Sequence, residues 1–179
     1  MGWRRTWLGA VGAAAVLAGL GCGAGSGVDA EAVGPADCPI MTAAGKLPAT
    51  VDEANTKKAG GASWTNKEIR ARYVCWVTGI GGLNEDWKRE GLSAEERAKR
   101  AYQTRHDARM TARAMMGSSA EVEMLRARDQ EKYGNPDGPT FEWLVEKAKE
   151  KGLSGDAVYE EIVSSAQRTD AATNKAFGL

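Results

Sequence analysis

The sequence predicts an all-α domain, a compact array of about five to six helices behind a flexible N-terminal tether. Three observations lead there. From residue 65 onward, apolar residues recur at three- and four-residue spacing. Most of these segments open on Ser or Thr, and in three of them Glu follows three residues later, the pattern that satisfies the free N–H groups of a helix start. Most close on Gly, and no pair of alternating segments marks a strand hairpin.

Thr65 with Glu68 forms the first capping box, with Trp64 and Ile69 in the two staple positions. Ile69, Tyr73, Trp76, Val77 and Ile80 then follow at helical spacing, and Gly79, Gly81 and Gly82 are read as the stop. Tyr73 to Ile80 also fits a short buried strand, and periodicity does not separate the two readings. The three glycines do not form a dinucleotide fingerprint, because the spacing differs and no strand precedes them. Ser93 with Glu96 opens the longest predicted helix, Ala94 to about Met116, stopped by Gly117. Ser118 with Glu121 opens the next, which ends near Tyr133 and Gly134. Asn135-Pro136-Asp137-Gly138-Pro139 is a tight turn. Thr140 caps a helix carrying Phe141, Leu144, Val145 and Ala148, closed by Gly152. Ser154 opens a further helix with Val158, Ile162 and Ala166 on one face, and Thr169 caps a short last one. Phe141, Leu144, Val145, Val158 and Ile162 are the expected core.

The N-terminal third has a different character. Arg4 and Arg5 precede an uncharged run from Thr6 to Gly21, followed by Cys22. The run is too short for a membrane span, which needs about 20 apolar residues, and has the make-up of an export signal. Gly19-Leu20-Gly21-Cys22 resembles the cleavage site of bacterial lipoproteins. That resemblance implies lipidation of Cys22 and, with Gly23 rather than Asp after it, an outer-membrane or cell-surface location, the membrane being reached through the anchor. The family places a leucine-like residue three before the cysteine. Here Gly19 stands there and Leu20 is one place late, so an ordinary secretory cut further on, for example after Ala30, is the alternative. Both readings export the chain. The sequence thus divides into a signal at 1–21, a lipid-anchored tether and irregular segment at 22–62, and a helical domain at 63–179. Residues 23–62 are rich in Gly, Ala, Pro and Thr without a sustained period.

With Cys22 acylated, Cys38 and Cys75 remain as an even pair in an oxidising compartment. A bridge closing a loop of about 38 residues contributes roughly 3–4 kcal/mol in the chain-entropy model. Two separate buried thiols are the alternative. One histidine and three well-separated cysteines do not make a zinc site, and no cofactor is expected.

The 24 basic and 24 acidic residues are unevenly placed. Residues 66–113 hold 11 basic and 7 acidic, and residues 114–179 hold 8 basic and 12 acidic. Either the two halves pack against each other, or the basic half carries an anion-binding face.

The long predicted helix bears the one constellation of chemical interest. At 100° per residue Ala98, Ala101, Ala108, Ala112 and Met115 share a stripe that lets another helix approach closely, and Arg105 projects from its middle. A guanidinium in a seam requires a carboxylate or an anionic ligand. Arg105, Arg109 and Arg113 form a ridge at i, i+4 and i+8, flanked by Tyr102 and His106. Three guanidinium groups, an imidazole and a phenol suit phosphate: arginines hold it, and a histidine moves protons near neutral pH. His106, Tyr102 and Arg105 are the candidate catalytic residues, and Arg109 and Arg113 the candidate anion ligands. The competing reading is an ion-paired surface, with Glu95, Glu96, Asp107 and Asp129 as partners. His106-Asp107 lacks the further histidines of a metal phosphohydrolase. Pro136-Asp137 lacks the Glu-x-Lys of a metal nuclease. Ser164 and Ser165 lack a nucleophile-elbow context.

The run Arg105-His106-Asp107-Ala108-Arg109, then Lys132-Tyr133-Gly134-Asn135-Pro136-Asp137-Gly138-Pro139-Thr140-Phe141, then Ser164-Ser165 with Arg168-Thr169, resembles modules at the C-termini of bacterial polymorphic toxins. The resemblance covers about residues 93–179 and implies an effector acting on a neighbouring cell, with nucleic acid as target and a cognate immunity protein as partner. It implies no catalytic residues. A non-catalytic envelope lipoprotein that binds a protein partner, an immunity or inhibitor role included, is the alternative.

Overall fold

A computed structural model describes residues 41–42 and 45–177. The expected signal segment, the lipidation site Cys22 and Cys38 lie outside these residues. Two two-residue strands, β1 (Met41–Thr42) and β2 (Gly45–Lys46), pair antiparallel with Met41 opposite Lys46. Among the described residues seven helices follow: α1 (Val51–Ala59), α2 (Asn66–Thr78), α3 (Ile80–Arg89), α4 (Ala94–Met115), α5 (Ser119–Tyr133), α6 (Phe141–Glu150) and α7 (Asp156–Phe177). The protein is an all-α array.

Four of the predicted caps form, at Thr65, Ser93, Ser118 and Thr140; Ser154 stands two residues before α7 and makes no cap bond among the described residues. The Thr65 and Ser93 hydroxyls accept from the N–H of Glu68 and Glu96, whose carboxylates return to the cap backbone. Ser118 and Thr140 cap α5 and α6 by single bonds to Glu121 N–H and Trp143 N–H. Gly134, at φ 70°, closes α5 in the left-handed conformation that glycine adopts without strain.

Three expectations about the elements are corrected. First, the helical part begins at Val51, not at 63. Thr50 accepts from Glu53 N–H, Asp52 and Glu53 lie in the first turn, and Lys57 and Lys58 in the last, each complementing the helix dipole. This helix lacks an apolar stripe, and Ala54 alone within it is buried, so periodicity did not reveal it. Second, the glycines do not stop the chain. Gly79 keeps right-handed helical angles at the α2–α3 junction, and Gly81 and Gly82 lie inside α3. Ile80 and Trp87 anchor α3 by burial, and tertiary packing outweighs the cost of glycine in a helix. The Tyr73 region is accordingly helix, not strand. Third, the helices read from Ser154 and Thr169 are one. The Thr169 hydroxyl donates to the Ser165 carbonyl one turn back, so it ornaments a continuing helix instead of capping a new one.

The alanine stripe of α4 is the centre of the fold. Ala98, Ala101 and Ala108 are fully buried, and α4 packs on α1, α2, α3 and α7. The main core joins Trp76, Val77, Ile80 and Trp87 to Ile162, Val163 and Ala166 of α7. A second cluster joins Leu47, Ala54, Trp64, Ile69 and Met115. Of the expected core residues, Val158 and Ile162 are buried, whereas Phe141, Leu144 and Val145 are half-buried and pack against the main cluster from α6.

Arg72 ties the segment before α1 to α2. It is 1% exposed, donates from Nε to Pro48 O at 2.6 Å and from Nη2 to Ala49 O at 2.9 Å, and stacks on Trp76 at 3.9 Å. Burial lowers its pKa to about 9. Cys75, on the same helix, is half-buried and is not a free thiol. Its expected partner Cys38 lies outside the described residues. Among the described residues no helix is long and apolar enough to cross a membrane.

Candidate functional site

The middle of α4 is committed to the core through Ala98, Ala101 and Ala108, and its polar side chains between residues 102 and 109 emerge toward side chains of α6 and α7. Tyr102, Arg105, His106 and Arg109 form one wall of a small cleft. Pro139 from the α5–α6 turn, Leu144 from α6, and Ile162 and Ala166 from α7 complete it. The cleft is small: its cavity volume is about 20 Å³, room for about one water molecule, so a larger group must sit partly in the open mouth. The apolar side is therefore built from α6, α7 and Pro139 of the turn, and the polar side from α4 alone.

The polar side is under-satisfied. Arg105 has no carboxylate partner among the described residues, and its Nε is buried without a hydrogen-bond acceptor. The adjacent His106 has a buried Nδ1 that is likewise unpartnered. Buried polar atoms are nearly always paired; Trp64 Nε1 and Arg72 Nη1 elsewhere in the fold share this condition, but only here do two such atoms fall on successive residues lining one cleft. Arg105 is thus half-buried in the cleft wall beside the alanine seam, not packed within it, and among the described residues it has no carboxylate partner.

Burial holds the His106 pKa below the ordinary histidine value, against the opposing pull of Asp107, and Arg109 adds to the lowering. The imidazole is neutral at pH 7. Burial, with Glu142 next, raises the Tyr102 phenol. The two rings stack at 5.9 Å. Asp107 is engaged by Gln103, whose Nε2 donates to it at 2.8 Å. The cleft therefore offers two guanidinium groups, a neutral imidazole and a neutral phenol beside an apolar wall.

Arg113 does not join them. Its Nη2 bonds Asp129 Oδ2 at 2.6 Å and its Nη1 bonds Pro136 O at 2.8 Å, with arginine and aspartate both under 10% exposed. It is a buried strut between α4, α5 and the turn, as the ion-paired reading of the ridge has it. Arg109 stands between the two cases. It lines the cleft, and its one hydrogen bond among the described residues, to the Asp137 carbonyl, is long at 3.4 Å.

Sequence reasoning placed Tyr102, Arg105, His106 and Arg109 together because they share one helix face. It did not find Pro139, Leu144, Ile162 or Ala166 as lining, and it read Leu144 and Ile162 as core alone. Helical period showed that these residues face inward, but not that the packing stops short and leaves a cleft. No group of His, Cys, Asp or Glu suited to a metal ion is present among the described residues. Comparison with protein-family models, curated proteins and solved structures returns no match to this chain.

Proposed function

We propose that this is an exported, lipid-anchored surface protein whose helical domain binds a phosphate group in the α4 cleft, as an effector acting on nucleic acid. The observation that carries the reading is the pair of unpartnered buried atoms, Arg105 Nε and His106 Nδ1, on one open cleft with Arg109. A phosphate accepts from both arginines by charge-assisted bonds and from an imidazole N–H. In a catalytic cycle the neutral His106 accepts the proton of the attacking hydroxyl or water as the new P–O bond forms, the imidazolium returns it to the departing oxygen as the old P–O bond breaks, and Arg105 and Arg109 stabilise the charge that develops on phosphorus-bound oxygen. Tyr102, stacked on His106, orients the ring.

A second reading has its own support. Among the described residues no carboxylate lines the cleft to orient His106, and Arg113 is withdrawn into an ion pair. These features favour a non-catalytic lipoprotein that grips an anionic group of a protein partner, a cognate immunity protein included.

The test is expression of the chain from Glu31 onward in a bacterial cytoplasm, with and without His106→Ala, scoring growth and RNA and DNA integrity. α1 and the segment held by Arg72 must be retained. Toxicity lost in His106→Ala, with the protein still folded, supports the effector. Harmless wild-type protein that leaves nucleic acid intact, but whose His106 signal shifts with inorganic phosphate, supports the non-catalytic reading. Intact-mass analysis of the membrane fraction tests the anchor: a diacylglyceryl group on Cys22 is expected, and a soluble mature chain starting near Glu31 refutes it.

A further inference from the structure

The turn between α5 and α6, Asn135 to Pro139, is half-buried to buried and firmly held. Arg113 Nη1 donates to Pro136 O at 2.8 Å, and Arg126 Nη1 to the Asp137 carboxylate at 3.0 Å. The Asp137 N–H donates to Asn135 Oδ1 at 3.0 Å, and the Gly138 N–H to Asn135 O at 3.2 Å. Gly138 is buried, with φ +102°. A Cβ built on it lies 2.7 Å from Arg109 Cζ and closer still to Arg109 Nη1. The backbone is fixed by two arginines and an asparagine, so the mobile partner in this contact is the Arg109 guanidinium.

We infer that Gly138 is a positioning residue: the space left by its missing side chain is where the Arg109 guanidinium lies, and this sets Arg109 in the wall of the cleft. The long bond to the Asp137 carbonyl is too weak to hold the group there unaided. Packing over a bare backbone does so, and it leaves the guanidinium hydrogens unspent for a ligand. The inference rests on the phosphate reading for the identity of the ligand, and on geometry alone for the placement of Arg109.

His106 is the single histidine of the chain, so its imidazole signals in NMR need no assignment. The groups that act on it are Asp107, Arg109 and Arg113 from α4 and Asp137 from the turn, while α6 and α7 present apolar side chains to the cleft. Arg109→Gln removes a positive neighbour and raises the His106 midpoint. Gly138→Ala is expected to raise it in the same direction by displacing Arg109. In the double variant Gly138→Ala adds nothing to Arg109→Gln. Titrated with inorganic phosphate, each single variant binds about tenfold more weakly than wild type, the effect of one lost charged hydrogen bond, and the double variant no more weakly than Arg109→Gln.

A Gly138→Ala protein whose His106 midpoint equals that of wild type overturns the inference, as does a shift that adds to that of Arg109→Gln. Wild-type protein that ignores phosphate removes the ligand reading and leaves the midpoints to decide on Gly138. If Gly138→Ala fails to fold, Arg109→Ala/Gly138→Ala decides. Restored folding locates the conflict at Arg109. Equal failure assigns it to the left-handed backbone and overturns the inference.

Discussion

Asp129→Ala removes one half of a buried ion pair and is the sharpest test of how the cleft wall is held. Asp129 is 5% exposed and Arg113 7%, and their contact is 2.6 Å. Breaking such a pair by deleting one partner costs about 3–5 kcal/mol, because the remaining charge stays buried. Arg113 keeps Pro136 O at 2.8 Å and has Asp137 Oδ1 at 3.7 Å, which places this site at the lower end, about 3 kcal/mol. For a domain near 150 residues that corresponds to a fall in Tm of about 6–12 °C. α5 packs little on the rest of the fold, and Asp129 is its one buried residue, so the loss falls on the attachment of α5 and of the turn after it. Urea unfolding followed by tryptophan fluorescence measures it, since Trp64, Trp76 and Trp87 lie in the core. Arg113→Met/Asp129→Leu, which removes both charges and keeps volume, should recover to within about 1 kcal/mol of wild type. A loss below about 1 kcal/mol in Asp129→Ala shows that water reaches the pair and refutes its role as a buried strut.

Two further outcomes are expected. The His106 pKa is depressed in the folded protein, so the stability it contributes is present above the unfolded value of about 6.5 and is lost as pH falls through the folded value. Urea midpoints from pH 8 to 5 should therefore drop less in His106→Gln than in wild type, and an unchanged slope argues against burial of the ring. A bridge between Cys38 and Cys75 should protect both cysteines of the exported protein from thiol reagents until reduction, and reduction should cost roughly 3–4 kcal/mol. Labelling of both without reductant rejects the pairing.

The helix starts were legible because a cap is local chemistry. Thr65 and Glu68, and Ser93 and Glu96, carry the whole signal within four residues. The alanine stripe of α4 was equally legible, since helical period alone fixes which residues share a face. α3 was hidden because glycine propensity argued for a stop while burial of Ile80 and Trp87 argued for a helix, and only packing decides between them. The same holds at the site. Tyr102, Arg105, His106 and Arg109 share a strip by virtue of spacing, so the sequence alone brought them together. Whether each arginine is spent or available depends on what crosses α4 from far along the chain. Asp129 and Pro136 claim Arg113, bare Gly138 receives Arg109, and Arg105 meets no carboxylate among the described residues. Those partners lie between 16 and 29 positions away, beyond the reach of any periodicity, and burial within the tertiary structure turned three equivalent arginines into one strut and two cleft residues.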